Sequence, residues 1–103
     1  MAETSETEIA EVVLRVAAQQ PNRVASHRRL RKEVPNLIKL TPADLAPSAT
    51  RNGEPMWHQI VRNIKSHHEA PGNFIAEGWL MHVPRVGYKI TPAGIKRLGA
   101  KKT

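Results

Sequence analysis

The chain has 103 residues and a mass of 11.5 kDa, the size of one domain rather than two. Apolar residues make up 40% and charged residues 24%, enough for one small core, which excludes global disorder. Cysteine is absent, so disulfides, zinc ribbons and thiol catalysis are excluded, while sixteen Lys and Arg against nine Asp and Glu give +7, a balance that attracts polyanions.

In chain order, the first predicted element is a helix from about Glu6 to Gln19. Ser5 is its cap and Glu8, three residues on, completes a capping box. Ile9, Val12, Val13, Val16 and Ala17 recur at helical spacing and form one apolar face. Pro21-Asn22 ends it. Val24-Ala25 reads as a two-residue strand. Ser26 caps a second helix, about His27 to Val34, with Leu30 and Val34 inward and Arg28, Arg29, Arg31 and Lys32 in water. Pro35-Asn36 is read as its end, after which Leu37, Ile38 and Leu40 return to the core. Thr41-Pro42 starts a single turn, Pro42 to Leu45, and residues 47–53 form a loop.

The third major helix is predicted from about Glu54 to His67, with Trp57, Ile60, Val61, Ile64 and His68 on its apolar stripe. His58, Gln59, Arg62, Asn63, Lys65 and Ser66 form the polar face. After a loop, Phe74 to Glu77 reads as a turn of helix closed by Gly78. A strand follows from Trp79 to Val83, with Trp79, Met81 and Val83 inward and His82 outward. Residues 84–87 make a turn, and Tyr88 to Ile90 return with Tyr88 and Ile90 inward. Thr91-Pro92 opens a last helix to Leu98, with Ile95 and Leu98 inward; residues 99–103 fray, like residues 1–5. The expected fold is a single α+β domain, 1–103, with a small helical core, a C-terminal two-stranded hairpin and a short final helix. That is the organisation of a winged helix-turn-helix.

The stretch from Trp57 to Leu98 resembles the winged-helix domain at the N-terminus of Mrr-type restriction endonucleases and related phage and bacterial proteins. The features are Trp57 with Ile60, Val61 and Ile64; Gly78-Trp79-Leu80; Pro84-Arg85-Val86-Gly87-Tyr88; and Ile90-Thr91-Pro92-Ala93-Gly94. The upstream Leu40 to Leu45 segment fits as well. The loop from His68 to Asn73 is longer than the family pattern. The resemblance implies DNA binding, in a restriction or regulatory system, and carries over no cleavage. A nuclease core of that type needs an Asp and an (Asp/Glu)-x-Lys element to hold a metal. The single aspartate here is Asp44, and no such element is present.

Charge distribution points the same way. Glu3, Glu6, Glu8 and Glu11 lie in the first eleven residues, so residues 12–103 carry sixteen bases against five acids. Nucleic acid is the commonest partner of such a field, and an acidic protein is the alternative. In the third helix, arginine matches guanine edges and Asn or Gln matches adenine. The candidate groove readers are therefore Arg62, Gln59, His58, Asn63 and Lys65, with a merely solvated helix face as the alternative. Arg85 at the hairpin turn and Lys89 on the returning strand are candidates for backbone or minor-groove contact. Arg28 and Arg29, with Arg31 and Lys32, are further phosphate candidates, as is Arg51 ahead of the third helix. Both tryptophans read first as core, with base stacking as the alternative.

No catalytic residue, metal ligand set or cofactor motif is identified. His67 and His68 are adjacent and point to different faces of a helix, and no HExxH spacing occurs. The expected partner is double-stranded DNA, with a homodimer or a separate effector or nuclease chain as further partners and no membrane contact: apolar runs fall far short of the roughly 20 residues of a membrane helix. The acidic first eight residues lack the basic and apolar regions of a signal peptide, so the expected location is cytoplasmic, at the nucleoid. A protein-docking module without DNA binding is the alternative function, because a fold does not fix its use. Its binding surface would be the acidic first helix.

Overall fold

The computed structural model describes residues 4–48 and 53–101. Five helices and three strands follow in the order α1 (Glu6–Gln19), β1 (Val24–Ser26), α2 (His27–Leu37), α3 (Pro42–Leu45), α4 (Met56–Ser66), β2 (Leu80–Val83), β3 (Gly87–Ile90) and α5 (Pro92–Lys101). The architecture is α+β. The strands form one antiparallel sheet in the order β1-β3-β2, so the predicted hairpin gains a third strand from the Val24-Ala25 segment.

Helix α1 is the centre of the core. Ile9, Val13, Leu14 and Ala17 are fully buried, and the helix packs against α2, α4, α5, β1 and β3. Its start shows why the sequence fixes this boundary. Ser5 Oγ accepts from the Glu8 N–H at 3.1 Å, satisfying one of the helix's orphan donors. The predicted capping box is half formed: the Ser5 hydroxyl donates to the Glu8 carboxylate. The full box occurs at α3, where Thr41 and Asp44 exchange backbone and side-chain bonds.

Several boundaries differ from the sequence reading. Helix α2 runs through Pro35 to Leu37. Pro35 forfeits its own N–H bond to the Arg31 carbonyl and crowds that oxygen, a cost borne between two exposed residues, and burial of Val34 holds the preceding turn in place. Leu37 is left 46% exposed, while Ile38 and Leu40 pack on the core. Helix α4 starts at Met56 and stops at Ser66, so His67 and His68 lie beyond it, exposed. Residues Phe74 to Glu77 form turns rather than helix; Asn73 Oδ1 accepts from the Ile75 and Ala76 N–H groups there.

The inward phase of β2 is the reverse of the predicted one. Leu80 is buried and Met81 is 55% exposed. Cross-strand register explains it: Leu80 pairs with Ile90 and His82 with Tyr88, and directly opposed residues share a face. Trp79 still belongs to the preceding turn, where its N–H donates to Phe74 and its carbonyl accepts from Thr91. In α5, Gly94 rather than Ile95 faces inward. A Cβ on Gly94 would lie 2.3 Å from the Trp79 carbonyl oxygen, and Ile95 turns 39% exposed. That helix also continues past Leu98 to Lys101. Among the described residues, no helix is long and apolar enough to cross a membrane.

Candidate functional site

Two hydrogen bonds bring α2, α4 and the β2–β3 turn together. The His27 N–H donates to the Val86 carbonyl at 2.7 Å, tying the first turn of α2 to the hairpin turn. The Tyr88 hydroxyl donates to the Val61 carbonyl at 2.6 Å, tying β3 to α4. Burial pushes the Tyr88 phenol up to about 12, so it stays a donor at any physiological pH. Gly87 permits the close approach of β1: a Cβ there would stand 2.0 Å from the Ala25 carbonyl oxygen.

Between these elements lies a concavity of about 550 Å³. Arg28 and Arg31 reach it from α2, Arg62 from α4 and Arg85 from the hairpin turn, with Glu54 as the one acid among its described lining residues. Trp57 and Val61 supply apolar wall. The N-terminal end of α2, capped by Ser26 Oγ accepting from Arg29, opens on the same space, and its dipole adds positive potential.

The arginines are held differently. Arg62 forms a charge-assisted hydrogen bond to Glu54. His58 lies 3.8 Å from the same carboxylate and stands edge-on to Trp57. Arg85 occupies the left-handed region, φ 65°, with the Val86 N–H donating to Val83. Pro84 followed by positive φ is the type II turn pattern, which favours Gly or Asn at that position. An arginine in that conformation costs about 1 kcal/mol, and Arg23 takes the same region, φ 62°, away from the concavity.

Three histidines edge this region. His27 and His82 flank the Tyr88 ring at 5.9 and 5.8 Å. Burial, with the charges of Arg31, His82 and Arg62, lowers the pKa of His27 below 6.5. Burial lowers His58 as well, and Arg31 and Arg62 oppose the contrary pull of Glu54. Burial and Lys65 lower His82. All three are therefore neutral at pH 7, and the arginines carry the positive charge of the concavity.

Of the sequence candidates, Arg28, Arg31, His58, Arg62 and Arg85 line this concavity. The others lie around it. Gln59 accepts from the Ser48 hydroxyl at 2.9 Å, and Asn63 is half-buried. Lys65 is exposed on α4, and Arg29 is exposed on α2 beside Glu33 at 3.2 Å. Lys89 is on the outer face of the sheet, opposite Val24 and Met81. Arg51 lies outside the described residues. Sequence reasoning missed His27 and Glu54. His27 carried one signal, its place directly after a capping serine. Glu54 carried none, because it meets Arg62 eight positions away.

Two other sequence candidates are absorbed by the core. Trp57 is buried, and Trp79 packs against Phe74 and under the Arg97 guanidinium, 4.2 Å from its ring centroid. Of the glutamates of α1, Glu6 meets His67 and Asn73, and Glu11 meets Arg97. Among the described residues no three His, Asp or Glu side chains are placed to hold a metal ion. No protein-family model, curated protein or solved structure matches the chain.

Proposed function

We propose that the chain is a winged helix-turn-helix that binds double-stranded DNA, with α4 directed to the major groove and the β2–β3 hairpin as the wing. The observation that carries this reading is the convergence of Arg28, Arg31, Arg62 and Arg85 from three elements on one concave surface. Four guanidiniums against one carboxylate make a local excess of positive charge, on a chain that is already +7. Guanidinium is the side chain best matched to phosphate and to guanine edges. A helix beside a β-hairpin on a helical core is the organisation of this class of DNA-binding domain, and the Trp57 to Leu98 resemblance agrees with it.

The test is fluorescence anisotropy with a random-sequence duplex at two salt concentrations, followed by single-stranded competitor. The expected result is duplex-preferring binding that weakens steeply with salt, because phosphate neutralisation releases counterions. A protein that ignores duplex at low salt would end this reading and turn attention to an acidic protein partner.

A further inference from the structure

The carboxylate of Glu54 is the anomaly of the concavity. It stands among four arginines and binds the one contributed by α4. The pair is half-buried, with side chains 31% and 25% exposed for Arg62 and Glu54, so it is less weakened by water than a surface pair. To a guanidinium, carboxylate and phosphate oxygens are equivalent acceptors with matching fork geometry.

We propose that the concavity is a phosphate seat whose place is held in the free protein by the chain's own Glu54, so that binding requires Arg62 to exchange a carboxylate for a phosphate. Charge supports the exchange. With the histidines neutral, the described lining carries four positive groups and one negative one, so an incoming phosphate still meets a positive field. The first turn of α2, an 11-residue helix, adds its dipole. Glu54 thus sets a threshold: a weakly placed anion does not displace it, whereas a phosphate also reached by Arg28, Arg31 and Arg85 does. Glu54 is a specificity-determining residue of this site. The source of the phosphate rests on the duplex-DNA reading; the seat itself rests on the concavity alone.

The experiment titrates the full chain with inorganic phosphate and, separately, with random-sequence duplex. It compares the wild type with Glu54→Gln and Arg31→Gln, and follows the His27 and His58 ring resonances. Glu54→Gln is expected to tighten phosphate binding by roughly three- to five-fold. Arg31→Gln, at an exposed position where surface substitutions change stability little, is expected to weaken it by a similar factor. Equal phosphate affinity in wild type and Glu54→Gln overturns the proposal. So does undiminished affinity in Arg31→Gln, which decides the matter if Glu54→Gln does not fold. Duplex binding that is the same in all three proteins, with phosphate affinity also unchanged among them, leaves the DNA reading standing and removes the seat. Phosphate binding with the expected ranking, but none to duplex, supports the seat and makes a free phosphate, rather than the duplex backbone, its ligand.

Discussion

The hydroxyl of Tyr88 donates to the main-chain carbonyl of Val61 across 2.6 Å, inside the core. Through it the returning strand of the hairpin is pinned to the middle of α4. The relative position of hairpin and helix, on which the shape of the basic concavity depends, is therefore fixed by a buried bond rather than by surface contacts. Tyr88→Phe is expected to lower stability by about 1 kcal/mol, read as a reduced urea midpoint. It should also broaden the amide resonances of residues 84–87 relative to those of α1.

Gly87 is predicted to be irreplaceable even by alanine. Its Cβ would meet the Ala25 carbonyl oxygen and the Ser26 Cα of β1, all backbone, so no rotamer change relieves the clash. Gly87→Ala should cost about 2 kcal/mol or more and detach β1 from β3. Loss of hydrogen-exchange protection at the β1 and β3 amides is the measurement that checks it.

Arg62 and Arg85 should differ in kind. Arg62→Ala is expected to lower affinity for the preferred duplex by about 1–3 kcal/mol and to relax sequence preference. Arg85→Ala is expected mainly to reduce the salt slope. An equal effect of both on every DNA sequence would remove α4 as the reading helix.

Arg85→Gly separates stability from binding. Glycine accepts φ 65° without the clash that an L side chain meets, so the variant should gain about 1 kcal/mol in stability while binding duplex more weakly. Thermal denaturation and anisotropy on one preparation test both halves.

Stability should fall on mild acidification. His27, His58 and His82 have folded pKa values below the 6.5 of an unfolded histidine. Below about pH 7 the unfolded chain thus binds more protons than the folded one, and stability drops as pH falls through the folded values. A second loss follows at lower pH. Burial opposes the charge on Asp44, but hydrogen bonds from Thr4 and Thr41 outweigh it and hold its carboxyl below 3.8. Its contribution is complete above 3.8 and lost as pH falls through the folded value. Urea midpoints from about pH 8 to pH 3 should show both steps, and Asp44→Asn should remove the second.

Local chemistry in the sequence determined most of the framework. Ser5, Ser26 and Thr41 each bond a backbone N–H three residues on, so the helix starts were legible from single residues. The apolar stripes of α1 and α4 were legible because burial at 3.6-residue spacing leaves a pattern within one segment. The basic character of the chain was legible from composition, and Arg28, Arg31, His58, Arg62 and Arg85, which line the concavity, were legible as candidates from their places on the helices and the hairpin turn.

Only tertiary structure decided the rest, because the deciding contacts join distant parts of the chain. The phase of β2 was set by its register against β3: Trp79, Met81 and Val83 formed an alternating apolar set, but pairing of Leu80 with Ile90 turned Leu80 inward. The end of α2 was set by burial of Val34, which outweighed the breaking tendency of Pro35. Gly94 displaced Ile95 from the inner face because α5 approaches the Trp79 carbonyl too closely for a side chain. The concavity joins α2, α4 and the hairpin, and Glu54 reaches Arg62 from outside the helix. Each is a meeting of side chains that sequence spacing places apart, and only the packing of the sheet on α1, α2 and α4 brings them together.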